Sequence, residues 1–240
     1  MKDFKEDFFK FKNKIDNNIN FSLVRFGDGE LMLIEKENLN LMKKGVGEFK
    51  YDNSEIIYEK SRQLLEYSLK FKSDEYYVGI GCRCCIGDDK FNYIKSLSKQ
   101  NEENLTWANI FVNSNYNLFK TKFIKSLNNR KVYLVCHEKS DTSNIPFSLE
   151  KTYKIKSNGW VENLDIIDII KNDISDNNIK DSIFLFCAGP LSNILVYKLH
   201  MFNKKNTYID LGSVLDGYLK LPCTRQYLLG GSTLKKTCIW

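Results

Sequence analysis

Arg25, Asp28 and Glu30 fall in one short run, Ser22-Leu23-Val24-Arg25-Phe26-Gly27-Asp28-Gly29-Glu30-Leu31. An apolar strand pattern enters two glycines that bracket an acidic pair, and a helical pattern starts directly afterwards. The two carboxylates are hard oxygen ligands of the kind Mg²⁺ and Mn²⁺ take. Gly27 and Gly29 tolerate unusual backbone angles and let a ligand approach the main chain. Arg25, at the strand end, is placed to face a phosphate. A plainer reading competes: Asp28 as the N-cap of the helix, with Glu30 in the first turn answering its dipole. Spacing alone does not separate the two, because Glu35-Lys36-Glu37 repeats the acidic pattern without the strand or the glycines.

Other segments carry similar punctuation. In Ala188-Gly189-Pro190-Leu191-Ser192-Asn193, Pro190 suits the first position of a helix. Backbone N–H groups there, with Ser192 and Asn193, suit a phosphate or ribose oxygen, and ordinary helix initiation explains the segment equally well. It is neither a P-loop nor a Gly-x-Gly-x-x-Gly fingerprint, which speaks against a kinase or a dinucleotide dehydrogenase. Gly81-Cys82-Arg83 adds a cation, Arg83. His137, Glu138, Asp141, Asp210 and Asp216 are all chemically able to act as a general base, and the sequence does not choose among them. Cys82-Arg83-Cys84-Cys85 resembles a metal site, but no second Cys/His cluster at zinc spacing accompanies it. The expectation is small buried hydrophobes, or thiols near a ligand loop.

The elements that must position these residues alternate between strand and helix. Strands are expected at 21–26, 76–80, 107–112, 131–136, 152–156, 182–187 and 207–210. Helices are expected at 3–17, 29–36, 54–71, 88–99, 115–127, 162–172 and from 190 to about 202, with 38–52 an irregular loop or small hairpin. The first helix, within residues 1–20, is amphipathic, with Phe4, Phe8, Phe11 and Ile15 on one face. Core packing is the expected use of that stripe, with peripheral membrane contact as the lesser one. Alternation of this kind predicts an α/β, Rossmann-like fold: a mostly parallel sheet with helices on both faces, in a single domain over 1–240 with its core at about 21–228. In such folds ligands bind at the carboxyl ends of the strands. The polar, glycine-bearing segments all follow strands, so a parallel sheet would gather them along one edge.

Composition sets the limits. Charged residues at 28% and hydrophobic residues at 42% describe an ordinary globular chain and argue against extended disorder. The net charge of +6 suits anionic ligands, but the lysines are scattered, and no nucleic-acid motif is present. Lysines near both ends, including Lys235 and Lys236, read as solvated surface. Seven cysteines without a secretion-type N-terminus point to reduced thiols. No run reaches the roughly 20 apolar residues that cross a bilayer. The expected location is cytoplasmic, with at most peripheral contact at the inner face of the membrane.

A metal at Asp28 and Glu30 beside a diphosphate would stabilise the charge that builds on a leaving nucleotide, which suits sugar transfer. The runs Val24-Arg25-Phe26-Gly27-Asp28-Gly29-Glu30, Cys187-Ala188-Gly189-Pro190-Leu191-Ser192 and Tyr208-Ile209-Asp210-Leu211-Gly212-Ser213 together resemble the GT-D glycosyltransferases. These are bacterial enzymes, once grouped as a domain of unknown function, that add sugars to glycans on serine-rich adhesins. The similarity spans about 21–225. It implies a Rossmann-like single domain that uses a sugar nucleotide such as UDP-glucose, with a glycan or glycoprotein acceptor and no nucleic acid. It also implies Asp28 and Glu30 at Mn²⁺ or Mg²⁺ and nucleotide. Arg25, Gly27, Gly29, Arg83, Gly189, Ser192, Asn193 and Arg225 are the remaining candidates for nucleotide contact, Arg225 because Thr224-Arg225-Gln226-Tyr227-Leu228 sits where the family closes its site. Two alternatives stand beside this reading: another envelope-polysaccharide transferase, moving pyruvyl or phosphoryl groups, and a non-enzymatic nucleic-acid or partner-binding module.

Overall fold

The computed structural model describes residues 1–42, 49–223 and 225–228. The strands are β1 Ser22–Phe26, β2 Leu39–Asn40, β3 Lys50–Tyr51, β4 Tyr76–Ile80, β5 Leu105–Trp107, β6 Val132–His137, β7 Lys151–Ile155, β8 Ile183–Cys187 and β9 Thr207–Asp210. Seven of them form one sheet in the order β5-β4-β1-β9-β8-β6-β7, and every pairing in it is parallel. The chain first winds outwards from β1 through β4 to β5, crosses to β6 and β7, and then returns inwards through β8 to β9. The two halves meet where β1 and β9 pair, with Ser22 opposite Tyr208 and Leu23 opposite Ile209. That meeting point is the switch point at which open parallel sheets bind ligands. The small β2–β3 pair is antiparallel and confirms a hairpin within 38–52; its apex, with Gly45 and Gly47, lies outside the described residues.

Helices are α1 Phe4–Asp16, α2 Asp28–Ile34, α3 Ile57–Lys70, α4 Arg83–Ile86, α5 Asp88–Ser98, α6 Tyr116–Leu118, α7 Ile124–Ser126, α8 Gly159–Glu162, α9 Ile166–Asp176 and α10 Pro190–Phe202. Adjacent strand residues point to opposite faces of a sheet, which assigns the layers. Tyr77 of β4 meets Phe11 of α1, ring centroids 5.1 Å apart, whereas its neighbour Tyr76 meets Phe71 at 5.0 Å and His200 of α10 at 5.3 Å. Helices therefore cover both faces. The aromatic stripe of α1 is buried in the core: Phe8 packs on Phe111 and Phe123, and Phe11 on Phe21. Among the described residues no helix is long and apolar enough to cross a membrane.

Three expected elements differ. The strand expected at 107–112 runs instead over Leu105–Trp107, because its partner β4 ends at Ile80; after one last bond from Ala108 N–H to Ile80 O the chain turns, with Ile110 N–H bonding back to Trp107 O. The helix expected at 115–127 carries a π-turn at Phe119–Phe123, which brings Phe119 and Phe123 together against Phe111. The helix expected at 162–172 begins later, at Ile166, and runs to Asp176; the short α8 before it carries Trp160, which is fully buried and stacks on Tyr58.

The buried imidazole of His200 ties the centre of the sheet to the loop before β4. Nδ1 lies 2.8 Å from Ser22 Oγ and Nε2 lies 3.2 Å from Ser73 Oγ. Burial, with Lys204 nearby, holds its pKa down at about 4. The folded protein thus keeps a neutral ring where the unfolded chain, at about 6.5, would take a proton. Its contribution is present above about pH 6.5 and is lost as pH falls towards 4, a change of about 3 kcal/mol. Urea melts at pH 7 and pH 4 are expected to show wild type losing that much more stability than His200→Gln.

Candidate functional site

A cavity of about 470 Å³ opens at the carboxyl edge of the sheet, over the junction of β1 and β9. It is lined from the ends of β1, β4, β5, β8 and β9, and closed on one side by the segment carrying Arg225 and Tyr227. The expected convergence of strand-end loops is therefore real for Gly27-Asp28-Gly29-Glu30, Gly81-Cys82, Cys187-Ala188-Gly189 and Asp210-Leu211-Gly212-Ser213. It fails for the loop after β6, which stands one strand further out.

At its floor, the Arg25 guanidinium reaches across the sheet. Nη1 donates to Ala108 O at 2.9 Å, Nη2 lies 3.5 Å from Asp210 Oδ1, and Nε lies 3.4 Å from Asp210 Oδ2 without hydrogen-bond alignment. Asp210 Oδ1 also accepts from Gly212 N–H at 2.9 Å. Burial raises the pKa of this carboxyl, against the lowering effect of Arg25, Gly212 and the Ser192 hydroxyl. Gly212 has a positive φ of 55°, and a Cβ there would sit 2.2 Å from Arg25 Nη2. Glycine is required twice over: for the backbone and for the guanidinium.

The acidic pair divides its labour. The N-cap of α2 is Gly27, not Asp28, which corrects the N-cap reading of that residue. Glu30, in the third helical position, accepts from Gly27 N–H through Oε2 at 3.0 Å and so supplies half of a capping box. Asp28 is exposed on the rim of the cavity. Burial pushes the Glu30 carboxyl up to about 7, with the Asp210 and Asp28 carboxylates adding to the shift. A neighbourhood that resists the ionised carboxylate favours a cation beside it. Among the described residues the charged groups on the cavity wall are Asp28, Glu30, Asp210 and Asp216 against Arg25 and Arg225. Four carboxylates against two guanidinium groups leave an excess of negative charge. The donor set fits a hard divalent cation: no third His, Cys, Asp or Glu joins Asp28 and Glu30 in a tight group among the described residues, and Mg²⁺ sites commonly pair one or two carboxylates with phosphate oxygens and water.

The other candidates separate cleanly. Ser192 is fully buried, and its Oγ accepts from Ala188 N–H at 3.1 Å. Asn193 clamps the main chain of Arg25, accepting from its N–H at 3.2 Å and donating to its carbonyl at 3.0 Å. Both side chains hold the turn and the strand end. Gly189 lines the cavity with a φ of 54°, and an added Cβ would stand 3.5 Å from the ring of Phe49. The same ring lies 3.1 Å from a Cβ built on Gly29, so Gly29 makes room for Phe49. Arg83 points elsewhere: Nε is 3.3 Å from Asp88 Oδ1, and its guanidinium lies 4.6 Å from the Phe91 ring centre. His137 is buried off the cavity, where Lys139 N–H donates to Nδ1 and Nε2 meets Ser157 Oγ at 3.0 Å. Glu138 is exposed beside it, and Asp141 pairs with Lys220 at 2.6 Å, which with the Ser143 N–H holds its carboxyl low. Of the five base candidates, Asp210 and Asp216 line the cavity.

Sequence reasoning did not single out Phe49, Asn109 or Tyr227. Tyr227 is buried at the cavity wall, its OH 2.9 Å from Ser213 Oγ and its ring 5.1 Å from that of Tyr116. For Phe49 and Tyr227 an aromatic in a connecting segment is the only signal, and Asn109 gives none.

No protein-family model matches this sequence, and neither does any curated protein. Solved structures do. One, reported with the statement that "the highly conserved domain of unknown function 1792 has a distinct glycosyltransferase fold", superposes with a TM-score of 0.55 over 88% of this chain and 78% of that one, at 19% identity. Another, a new glycosyltransferase of the same domain type from Streptococcus sanguinis, gives a TM-score of 0.52 over 88% and 80%, at 16% identity. The chain therefore has that glycosyltransferase fold.

Gly212→Ala is expected to lower stability by about 1–2 kcal/mol from the left-handed backbone alone, and further through displacement of Arg25. Gly217→Ala, where a Cβ would meet only Cys223 Sγ at 3.9 Å, is the matched control and should melt within a degree or two of wild type.

Proposed function

We propose that this protein is a metal-dependent glycosyltransferase that moves a sugar from a nucleoside-diphosphate donor, UDP by preference, to a hydroxyl of a glycan or glycoprotein. One observation carries the reading: Arg25 and the carboxylates of Asp28, Glu30 and Asp210 converge on a cavity at the switch point of a sheet with a glycosyltransferase fold. A diphosphate alone would meet an excess of negative charge there. Mn²⁺ or Mg²⁺ held by Asp28 and Glu30 would cancel that excess and stabilise the charge developing on the leaving nucleoside diphosphate.

The chain's own residues do the rest. Arg25, held in place by Ala108 O and Asp210, presents a fixed guanidinium to the diphosphate. Arg225, exposed at the rim, supplies a second cation from the segment that closes the cavity. Asp210 is engaged with Arg25 and Gly212, so it serves as a positioning residue for the guanidinium. The Asp216 carboxylate, which also lines the cavity, is assigned as the base that takes the proton of an acceptor hydroxyl if configuration inverts. The place of action is the cytoplasm, with at most peripheral contact with the membrane.

UDP with Mn²⁺ is expected to raise the melting temperature more than either component alone. Asp28→Asn and Glu30→Gln should remove UDP-sugar turnover while leaving circular dichroism unchanged; full activity in both would overturn the assignment. Because the Glu30 carboxyl must be ionised to bind the cation and sits at about 7, Mn²⁺ affinity measured by calorimetry should rise between pH 6 and pH 8. In Glu30→Gln that rise should disappear.

A further inference from the structure

The cavity has a second wall of different chemistry. Cys82 follows Gly81 at the end of β4, and the single turn of α4 bonds Cys85 N–H back to Cys82 O at 2.9 Å. This turn stacks Cys82 and Cys85 on one side and swings Cys84 towards them. The three Sγ atoms all lie within 4.8 Å of one another, with Cys82 and Cys84 at 3.3 Å. Among the described residues this is the only such grouping of three metal-binding side chains. From the loop after β5, Asn109 Nδ2 approaches Cys82 Sγ at 3.1 Å and Cys85 Sγ at 3.7 Å. Cys82 is buried, while Cys84 and Cys85 are exposed. The expectation of small buried hydrophobes thus holds for Cys82 only; the other two are thiols beside the ligand cavity, which Cys82 and Cys85 line.

We infer that Cys82, Cys84 and Cys85 form a binding site for a thiophilic divalent cation of the Zn²⁺ class, distinct from the carboxylate centre. Three sulfurs about 2.3 Å from one tetrahedral ion stand about 3.8 Å apart, wider than the 3.3 Å between Cys82 and Cys84 and inside the 4.8 Å that contains all three. Rotation of the two exposed side chains closes the difference. Thiolates prefer soft ions, whereas Asp28 and Glu30 offer only hard oxygen, so the two walls of one cavity select different metals. Each thiol that ligates loses its proton to solvent as the metal–sulfur bond forms. The Asn109 amide donates to two of the sulfurs, the kind of outer contact that fixes thiolate ligands in place. Three protein ligands leave a fourth position for water, as in metal sites that keep an open coordination place.

Co²⁺ titration of the full chain, reduced and kept free of oxygen, tests this directly. The expected result is a sulfur-to-cobalt charge-transfer band that saturates at one equivalent and is abolished by one equivalent of Zn²⁺. Cys84→Ser and Cys85→Ser, both at exposed positions, should weaken Co²⁺ binding at least tenfold and bleach the band. Cys223→Ser should leave it intact. Absence of the band in wild type overturns the site, as does its survival in both Cys84→Ser and Cys85→Ser. Cobalt bound to Asp28 and Glu30 gives no sulfur band, so this outcome is independent of whether the protein transfers sugars. Conversely, Asp28→Asn should keep the band.

Discussion

Arg25 on β1 and Asp210 on β9 are the two residues through which the separately wound halves of the sheet meet at the cavity floor. A guanidinium placed this deep needs its charge answered, because an unpaired ion in such surroundings costs several kcal/mol. Much of the neighbouring structure serves that need. Ala108, just past β5, offers its carbonyl; Asn193 fixes the backbone of Arg25 from the first turn of α10; Gly212 gives up a side chain so that the guanidinium fits. Elements from both halves of the sheet thus contribute to one charged group, and the cavity takes its shape from that convergence.

The electrostatics follow. Pairing with Arg25 occupies Asp210 but leaves Glu30 close enough to feel it, and Asp28 adds a further negative charge. The Glu30 carboxyl is consequently both a helix cap and a group that gains from a nearby cation. The bond from Gly27 N–H that starts α2 also fixes where the carboxylate stands on the cavity wall. Phe49 has a similar double use, packing over Gly29 and Gly189 and so bridging the starts of α2 and α10. Elsewhere on the same cavity, the short turn after β4 presents sulfur in place of oxygen.

Much of this was legible before any coordinates. Six of the seven strands of the large sheet fall within one or two residues of their expected places, because buried parallel strands read as apolar runs bounded by turn residues. The exception, at 105–107, is an edge strand whose length is set by its partner. The acidic pair, Arg25 and the strand-end glycines also stood out locally. Ser192 and Asn193 did not declare their role: each has the chemistry to hold a ligand, and only the fold turns them onto Ala188 and Arg25. The same holds for His137, a capable base by type that sits one strand away from the cavity.

The division has a physical basis. Alternation of apolar runs, turn glycines and helix-starting residues acts over a few neighbours, so the sequence by itself determined an α/β chain with a carboxylate pair at a strand end. The contact between Arg25 and Asp210 joins residues 185 positions apart, and the approach of Asn109 to Cys82 joins residues 27 apart. Which strands become neighbours is decided by how the whole chain buries its apolar faces. Only that tertiary arrangement selected the acids that share a cavity and brought Asn109 up to the thiols of the turn after β4.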